Sequence, residues 1–382
     1  MTRRRTLPSG LGRGQRGPHD ARGRRWAVAV AATVALTLSP AASGGDARPA
    51  GDCRLRIACF NAEVLAVPGE TTKVARFRFE PARKRHLERV AAVIEAVDPD
   101  ILVMPEVVSR QGVDALAAIL AEKGMGDLVG YHVDGADLFS GFDVAIFSRI
   151  PPDEIDGARI RILVPPRRVD GEPQPADGDA AWLRESYKFM DERGNARSET
   201  AVLQRHALAC FSVCGRKFAV LGMHLKSNPS DIGSNAQRTA ETRIARDVIR
   251  REIVARGYLP IVMGDLNDYD PDVPMADAGR TTQTTVLRDL KDYDPDRAGP
   301  ELVNAATFMP RVADRYTSHW DFNENGAADP EDVFTMIDHV LLHEELAPAV
   351  TRAFVCHATG ADISDHFPVV VDLDLAKAAS RP

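Results

Sequence analysis

Features that mark several classes of protein are missing from this sequence. The five cysteines follow no metal-ligand spacing, which argues against a zinc site built from cysteine. The apolar run at residues 26–38 is too short to span a bilayer comfortably. No segment repeats, so the chain is not an array of small units. What remains is an ordinary globular composition, with 44% hydrophobic and 27% charged residues.

Net positive charge is missing as well. The 382 residues contain 48 Lys and Arg against 55 Asp and Glu. Residues 1–43 hold eight Arg and one Asp, so the rest of the chain has 40 basic and 54 acidic side chains, a net charge of about −14. An acidic body repels polyanions at long range, which argues against tight, non-specific DNA binding through bulk charge. A nucleic acid would have to bind in a local basic groove or through a metal ion.

The N-terminal segment differs from the rest of the chain. Its arginines precede the apolar run at residues 26–38, and small residues follow at 41–44. This order is typical of an export signal, which we assign to residues 1–43, with an uncleaved membrane anchor as the alternative. We therefore expect a secreted or cell-envelope protein with a linker at 44–54 and one domain at 55–375. The export route stays open.

The cysteine count is odd. In an oxidising compartment one or two disulfides can form, and at least one thiol is then left over or paired between chains. Cys210 and Cys214 would lie about 13 Å apart on one straight strand, so they could bond to each other only across a tight turn.

Hydrophobic periodicity predicts interleaved strands and helices, hence a single α/β domain. Strands are predicted at residues 55–60, 100–107, 142–149, 206–213, 217–225, 259–267, 334–342 and 367–373. Helices are predicted at 81–97, around 113–120 with an end at Gly124, and at 235–256. A hairpin is expected around Cys214-Gly215. Residues 165–198 show no period and are expected to form a surface excursion near a site.

Polar side chains recur at the edges of the predicted strands. They are Asn61, Glu106, His224, Asp265, Asn267, Asp338, Asp365 and His366. Carboxylates, amides and imidazoles in such places are costly unless they pair with each other, with a metal or with a ligand. Any one of them alone is more simply a hydrogen-bonded core group. Their recurrence at six strand edges indicates a shared site.

These residues stand in short motifs: FNAE at 60–63, PE at 105–106, HLKS at 224–227, GDLN at 264–267, IDH at 337–339 and SDH at 364–366. The ordered set, from about residue 55 to 373, resembles the endonuclease/exonuclease/phosphatase superfamily. HLKS and Glu63 look most like its secreted or membrane-attached bacterial DNase-I-like nucleases. The resemblance implies a four-layer α/β sandwich, in which helices flank two packed mixed β-sheets. Pro105 departs from the family's usual Gln, and residues 165–198 have no counterpart.

The resemblance implies a divalent metal ion. Glu106, with Asn61 beside it, is the expected ligand of Mg²⁺ or Mn²⁺, because oxygen ligands suit these ions. Asp365 is expected beside a second metal position or as a partner of His366. Lys226 is expected to meet a flanking phosphate, and a solvated lysine is the alternative.

The resemblance also implies the catalytic side chains. His366, oriented by Asp338, is the expected general base or the imidazole that polarises the phosphate. Asp265 is expected to orient the attacking water, and Asn267 and His224 to donate to the phosphate. Phosphoester hydrolysis requires such groups, because negative charge builds on the phosphoryl oxygens in the transition state.

A second metal site is predicted at residues 321–332. The segment nearly fits the calcium-loop pattern, with oxygen side chains at alternate positions and a Gly for the sharp turn. The predicted ligands are Asp321, Asn323, Asn325, Asp329 and Asp332. Asp332 stands where the pattern has Glu, and a strand is expected after the loop in place of a helix. The alternatives are a structural Ca²⁺ and a plain acidic turn.

The leading hypothesis is a secreted, divalent-metal-dependent phosphodiester hydrolase, a DNase-like endonuclease with nucleic acid, DNA in particular, as substrate. A phosphatase or phospholipase C acting on inositol phosphates or sphingomyelin is the alternative within the superfamily. A non-catalytic surface binding protein is the alternative from another class. No obligate protein partner is implied, and a monomer is expected.

Overall fold

The computed structural model describes residues 53–70, 83–165, 180–322, 329, 332–358 and 363–378. These residues lie in one compact unit, Gly44–Pro382. The predicted export signal at 1–43 lies outside the described residues. Among the helices that the structure does describe, none is both long and apolar enough to cross a membrane.

Four helices and fifteen strands make up the described chain. The helices are α1 Arg83–Val97, α2 Arg110–Glu122, α3 Ile232–Val248 and α4 Val286–Lys291. The strands of the first half are β1 Arg54–Cys59, β2 Ile101–Val107, β3 Val129–Tyr131, β4 Asp143–Ser148, β5 Glu185–Met190, β6 Ala196–Ala201, β7 His206–Val213 and β8 Arg216–His224. Those of the second half are β9 Leu259–Asp265, β10 Leu302–Asn304, β11 Ser318–Trp320, β12 Val333–Thr335, β13 Asp338–His343, β14 Val350–Val355 and β15 Val369–Asp374.

Two mixed sheets form the centre of the fold. The first sheet has the order β14-β15-β1-β2-β4-β3, and the second has the order β10-β13-β9-β8-β7. In the first sheet β1 and β2 are parallel, and in the second β8 and β9 are parallel. One apolar core lies between the sheets, a second lies under α1 and α2, and a third lies under α3 and α4. The predicted four-layer α/β sandwich is therefore confirmed.

Strand β1 shows how alternation builds these layers. Ile57 and Cys59 belong to the core between the sheets, whereas Ala58 belongs to the core under α1 and α2. Successive side chains of a strand point to opposite faces, so one strand covered on both sides serves two cores. Burial of the Ile57 side chain contributes about 1.5–3 kcal/mol to stability.

The predicted hairpin around Cys214-Gly215 is confirmed. It joins β7 to β8 through a two-residue turn in which both residues have positive φ, 49° at Cys214 and 72° at Gly215. That geometry matches the twist of the strands. Cys214 forms a disulfide with Cys53, with 5.7 Å between the Cα atoms, so a bond between Cys210 and Cys214 does not form. Cys59 and Cys210 are buried thiols.

Two predicted elements differ in the structure. The second half of the predicted excursion forms the β5–β6 hairpin, which packs on α3. Its strands are mostly exposed on one side, so apolar alternation is weak and gave no signal. The segment predicted as one strand at 334–342 forms two strands, which are separated by Met336 and Ile337. Strand β12 pairs with β11, and β13 belongs to the second sheet.

The long helix starts earlier than predicted, and it reaches its predicted end at Arg256 through two changes of helix type. It begins at Ile232, three residues before the predicted start, because Asp231 caps it by accepting a hydrogen bond from the Ser234 N–H. After Val248 it continues as a π-helical turn, Ile249–Ile253, and a short 3₁₀ turn that ends at Gly257 with φ 80°.

Candidate active site

Strand register aligns the polar residues at one end of the sandwich. The parallel strands β1 and β2 end at the same edge of the first sheet, where Asn61 stands two residues after β1 and Glu106 is the last residue but one of β2. In the second sheet His224 lies opposite Asp265, and Asp265 lies opposite Asp338. Residues opposite one another on neighbouring strands point to the same face, so these three side chains meet.

His366 reaches the same place from the segment before β15. That strand runs antiparallel to β1, with Val369 opposite Cys59, so its start lies beside the end of β1. The Ser364 hydroxyl donates to the Asn61 carbonyl at 2.7 Å and accepts from the His366 N–H at 3.0 Å. The serine of the SDH motif thus fixes its histidine against the first strand.

We call Asn61, Glu106, His224, Asp265, Asp338 and His366 the strand-end cluster. His366 donates from Nδ1 to Asp338 Oδ2 at 2.7 Å, and its Nε2 lies 3.8 Å from Asp265 Oδ2. Nε2 of His224 lies 3.6 Å from the same oxygen of Asp265 and 3.9 Å from Glu106 Oε1. The structure thus brings together six of the eight side chains that the sequence predicted to share a site.

Several non-glycine residues at this edge have a positive φ, among them Glu106 and Asn267. Glu106 has φ 59° and Asn267 has φ 51°, a region that non-glycine residues rarely adopt. Glu106 sits in an irregularity of the β2–β4 pairing, directly after Pro105, which has no N–H for the ladder. The irregularity turns the Glu106 carboxylate into the cluster. Asn267 donates from its backbone N–H to Asp265 Oδ1 and from its side chain to the Leu225 carbonyl.

Gly264 allows the second sheet to place its polar residues. Its φ is 145°, and a Cβ at this position would lie 1.9 Å from the Met223 carbonyl oxygen. A side chain there would push β8 away from β9. Because His224 and Asp265 are the next residues on these strands, their register depends on this glycine.

The pKa values of the two imidazoles of the cluster are shifted in opposite directions. Burial, together with the charges of Arg205 and His366, lowers the pKa of His224 well below its ordinary value. Burial also opposes the charge on His366, but the hydrogen bond and charge of Asp338, with Asp265 and Asp365, raise the pKa of His366 well above its ordinary value. His224 is therefore neutral, and His366 holds a proton. Arg205 Nη1 lies 3.4 Å from His224 Nδ1, which leaves the His224 proton on Nε2, inside the cluster.

The carboxylates of the cluster repel one another. Burial and the charge of Asp365 raise the pKa of Glu106, and burial and the charge of Asp338 raise that of Asp265. Asp338 Oδ1 is buried with no hydrogen-bond partner among the described residues. Excess negative charge and an unused oxygen fit a divalent cation, since oxygen and imidazole ligands suit Mg²⁺ and Mn²⁺. Ligand atoms of Glu106, His224 and Asp265 lie within 4.8 Å of one another, as do those of Asp265, Asp338 and His366.

Asn61 connects the two carboxylates of the cluster that lie nearest to it. Its Oδ1 accepts from the Glu63 N–H at 3.0 Å, and its Nδ2 donates to Glu106 Oε1 and Asp265 Oδ2, both at 3.2 Å. In this orientation the Asn61 amide nitrogen positions two carboxylates, and ligation of a metal ion by Asn61 stays a prediction. Asp365 lies at the open edge of the cluster. Its Oδ1 lies 3.9 Å from His366 Nε2, and its negative charge raises the pKa of Glu106.

A cleft of about 390 Å³, which we call the Glu106 cleft, opens beside the cluster. Glu106 and His224 line its inner end, and the exposed ring of Phe139 forms part of its rim. Arg205 and the half-buried Lys226 also line it. The Lys226 ammonium has no ion-pair partner in the described part of the chain, whereas Arg205 Nε lies 3.7 Å from an Asp137 oxygen. The cleft thus places one cation without an ion-pair partner among the described residues, Lys226, next to the cluster, while the charges of Arg205 and Asp137 offset each other.

Three residues of the site were missed at the level of sequence. Arg205 stands directly before β7, and a charged residue at the start of an apolar strand was an available signal. Thr317 is fully buried, and its Oγ1 accepts from the Asp338 N–H at 2.9 Å, but nothing in the local sequence marks it. Arg238, also fully buried, pairs with Asp268 at 3.0 Å and donates to the Lys226 carbonyl at 2.7 Å. It joins the HLKS segment to the loop after Asn267.

The predicted calcium loop is described only in part. Asn323 and Asn325 lie outside the described residues. Asp332 is hydrogen-bonded to His319 Nε2 at 2.7 Å and accepts the backbone N–H groups of Phe322 and Asp329. Its carboxylate therefore stabilises the turn itself. Calcium binding by Asp321, Asp329 and Asp332 stays a prediction.

Comparisons with known proteins decide the family. The family model described as Endonuclease/Exonuclease/phosphatase matches residues 60–366. The chain belongs to this family. Its members are metal-dependent phosphoesterases and nucleases, so the predictions of an enzyme of that kind and of a divalent metal ion are confirmed at this level. No curated protein matches the sequence.

Solved structures of family members show the same fold. An AP endonuclease from Archaeoglobus fulgidus is 18% identical, with a TM-score of 0.52, and the match covers 84% of this chain and 99% of that one. The 3′ phosphatase NExo from Neisseria, bound to a product DNA hairpin, is 19% identical with a TM-score of 0.50, covering 84% and 99%. The 3′-5′ exonuclease NExo from Neisseria meningitidis has the same identity and TM-score, covering 84% and 100%.

Proposed function

We propose that this family member is an exported, Mg²⁺- or Mn²⁺-dependent phosphodiesterase that cleaves nucleic acid, DNA in particular. The observation that carries the proposal is the Glu106 cleft, which places Arg205 and Lys226 beside the strand-end cluster. Two cations beside a cluster of carboxylates and imidazoles suit a substrate with a scissile phosphate and flanking phosphates. The Lys226 ammonium would offset part of the repulsion expected from the acidic body.

The side chains of the cluster would have different roles in phosphodiester hydrolysis. A divalent ion held by Glu106 and Asp365 would supply charge to the phosphoryl oxygens. His224 presents its Nε2–H towards the same space, as a neutral donor. His366 holds a proton at Nε2, and Asp338 fixes its ring through Nδ1. Asp265 lies between the two imidazoles, where it can hold the attacking water.

Export is part of the proposal. The charge pattern of residues 1–43 supports it, and so does the disulfide between Cys53 and Cys214, since disulfides persist in oxidising compartments. Residues 44–54 and 55–375 are proposed as linker and domain.

Exposed apolar side chains near the site favour one second candidate, a phospholipase C or phosphatase acting at a lipid surface. Leu138 and Phe139 are each 70% exposed, and Phe139 lines the Glu106 cleft. Trp320 and Phe322 are each 63% exposed and follow Ser318, which pairs with His366. Such side chains suit insertion into a lipid interface. Membership of an enzyme family and the assembled cluster favour either candidate over a non-catalytic surface protein.

The test is a substrate panel for the purified chain lacking residues 1–43. Plasmid DNA, single-stranded DNA, RNA, an inositol phosphate and sphingomyelin vesicles are offered with Mg²⁺, Mn²⁺ or Ca²⁺. The proposal expects DNA cleavage with Mg²⁺ or Mn²⁺ and none in excess EDTA. Hydrolysis of sphingomyelin or inositol phosphate without DNA cleavage would favour the second candidate. Full activity in EDTA would contradict both.

A further inference from the structure

The strand-end cluster has two ends, because the order of the strands fixes the order of its members. In the first sheet β1 separates β15 from β2, and in the second sheet β9 separates β13 from β8. Glu106 and His224 therefore form one end of the cluster, and His366 and Asp338 form the other. The Glu106 cleft opens at the first end. Contacts with a substrate at the second end must come from whatever lies next to His366.

Strand β11 lies directly beside His366. Two backbone hydrogen bonds, both 2.8 Å long, join Thr317 and His319 to the residues on either side of His366. Ser318 and His366 pair between these two bonds. Such a position in an antiparallel pair is the closely spaced one, with Cα atoms about 4.5 Å apart and side chains on the same face. Ser318 therefore faces the same way as the His366 imidazole.

The face of β11 that carries Ser318 also carries Trp320 and continues onto β12. Side chains alternate along a strand, so Ser318 and Trp320 share a face, and His319 points to the other one. On that other face the His319 ring stacks on Phe334, with the centroids 4.7 Å apart. Thr335 lies opposite Ser318 and adds a second hydroxyl to the first face. We call Ser318, Trp320 and Thr335 the β11–β12 face.

The β11–β12 face offers hydrogen-bond donors and an aromatic surface. The hydroxyls of Ser318 and Thr335 make no hydrogen bond with any described residue, although Thr335 is only 7% exposed. Trp320 lies about 7 Å beyond Ser318 along the strand. Its ring is 63% exposed, and Phe322 meets it edge to face with the centroids 6.0 Å apart. Phosphate and sugar oxygens accept from hydroxyls, and bases stack on aromatic rings, so the face suits a nucleotide.

The two hydroxyls favour a nucleotide over a lipid surface on this face. Trp320 and Phe322 by themselves suit insertion into lipid. Insertion would also remove water from Ser318 and Thr335, however, and hydrocarbon offers no acceptor for their hydroxyls. A nucleotide provides both the acceptors and a ring for the indole.

We propose that the β11–β12 face binds the nucleotide next to the scissile phosphate, on the side away from the Glu106 cleft. Ser318 and Thr335 donate to its phosphate or sugar oxygens, and Trp320 stacks on its base. The inference rests on the proposed function and adds a second subsite to it. It predicts that recognition at this end of the cluster depends on the base as well as on the phosphate.

The experiment separates contacts with a base from contacts with charge. Labelled single strands of twelve thymidine nucleotides and of twelve abasic nucleotides, which carry the same charge without bases, are bound in EDTA and followed by fluorescence anisotropy. In Trp320→Leu the affinity for the thymidine strand should fall about tenfold, because one stacked base is lost. Affinity for the abasic strand should not change. Trp320→Phe, which keeps a ring, should restore most of the loss.

Ser318→Ala has a different expected result, because its contact is with the backbone of the strand. Affinity for the thymidine strand and for the abasic strand should both fall about fivefold for one lost hydrogen bond. Ser318→Thr keeps the hydroxyl and should bind both strands as the wild type does. With Mg²⁺, kcat/KM for the thymidine strand should fall in Trp320→Leu and in Ser318→Ala. Thermal melts of all variants verify that they are folded.

Phe322→Leu is the matched control. Its ring is as exposed as that of Trp320 but lies beyond the end of β11, and leucine still packs against the indole. This variant should bind the thymidine strand as the wild type does. The inference is overturned if Trp320→Leu and Phe322→Leu behave alike, or if Trp320→Leu weakens both strands equally. It is also overturned if Trp320→Ala loses binding to sphingomyelin vesicles while its affinity for the thymidine strand is unchanged. A wild type that binds the thymidine strand but cleaves no nucleic acid contradicts the proposed function alone, and the anisotropy of the variants still decides the β11–β12 face.

Discussion

Substitutions of His366 and Asp338 allow the effects on catalysis and on folding stability to be measured separately. His366→Leu removes the ring whose Nδ1 pairs with Asp338, at 2.7 Å, and whose Nε2 faces Asp265. Loss of a positioned acid or base should lower kcat by about 10² to 10⁴. The buried Asp338 carboxylate would then have neither oxygen paired, because its Oδ1 has no partner among the described residues already. Breaking a buried ion pair in this way costs about 3–5 kcal/mol.

The double variant His366→Leu/Asp338→Leu tests this reasoning. Both partners are replaced by apolar side chains of similar size, so most of the lost unfolding free energy should return while activity stays lost. The assays are kcat on the best substrate of the panel and urea denaturation of the metal-free proteins. The reasoning is refuted if His366→Leu cleaves within a few fold of the wild type, or if the double variant is no more stable than the single one.

The same pair predicts a dependence on pH. The folded-state pKa of His366 is raised, so its pairing contributes stability that is fully present below the unfolded-state pKa of about 6.5. This contribution is lost as the pH rises through the higher pKa of the folded state. The difference in unfolding free energy between wild type and His366→Leu should therefore shrink as the pH is raised. A difference that grows with pH would show that the sign is wrong.

Three further outcomes are expected. Glu106→Gln should lower turnover by orders of magnitude and weaken the dependence on Mg²⁺, since a lost metal ligand removes several kcal/mol of charge stabilisation. The measurement is kcat as a function of metal concentration, and unchanged kinetics would count against the ligand role. Gly264→Ala should unfold the second sheet or displace His224 from Asp265, because its Cβ would lie 1.9 Å from a carbonyl oxygen, and wild-type melting with wild-type activity would contradict this. Calcium should raise the melting temperature and Asp321→Ala should abolish the rise, whereas a wild-type melt insensitive to millimolar Ca²⁺ would leave a plain acidic turn.

The residues of the site could be found from sequence because most of them stand directly beside an apolar strand in the chain. An apolar strand followed by Glu106, or by Asp265, is visible in a few consecutive letters, and the order of such motifs identified the family. The same local reading located the β7–β8 hairpin, since its turn residues are adjacent in the chain. The two-sheet class was implied only by the resemblance to the family, since the alternation of strands and helices by itself predicted no more than a single α/β domain.

Other features depend on contacts between distant segments, which local patterns do not record. Thr317 acts on Asp338 through a single hydroxyl, and the orientation of Asn61 follows from the N–H of Glu63 and two carboxylates brought from other strands. The β5–β6 hairpin has little apolar alternation, because only one side of it is covered by α3. The opposite protonation of His224 and His366 could not be predicted either. Sequence determined which groups are present, and the tertiary structure decided which charges surround each of them, because pKa depends on neighbours and burial.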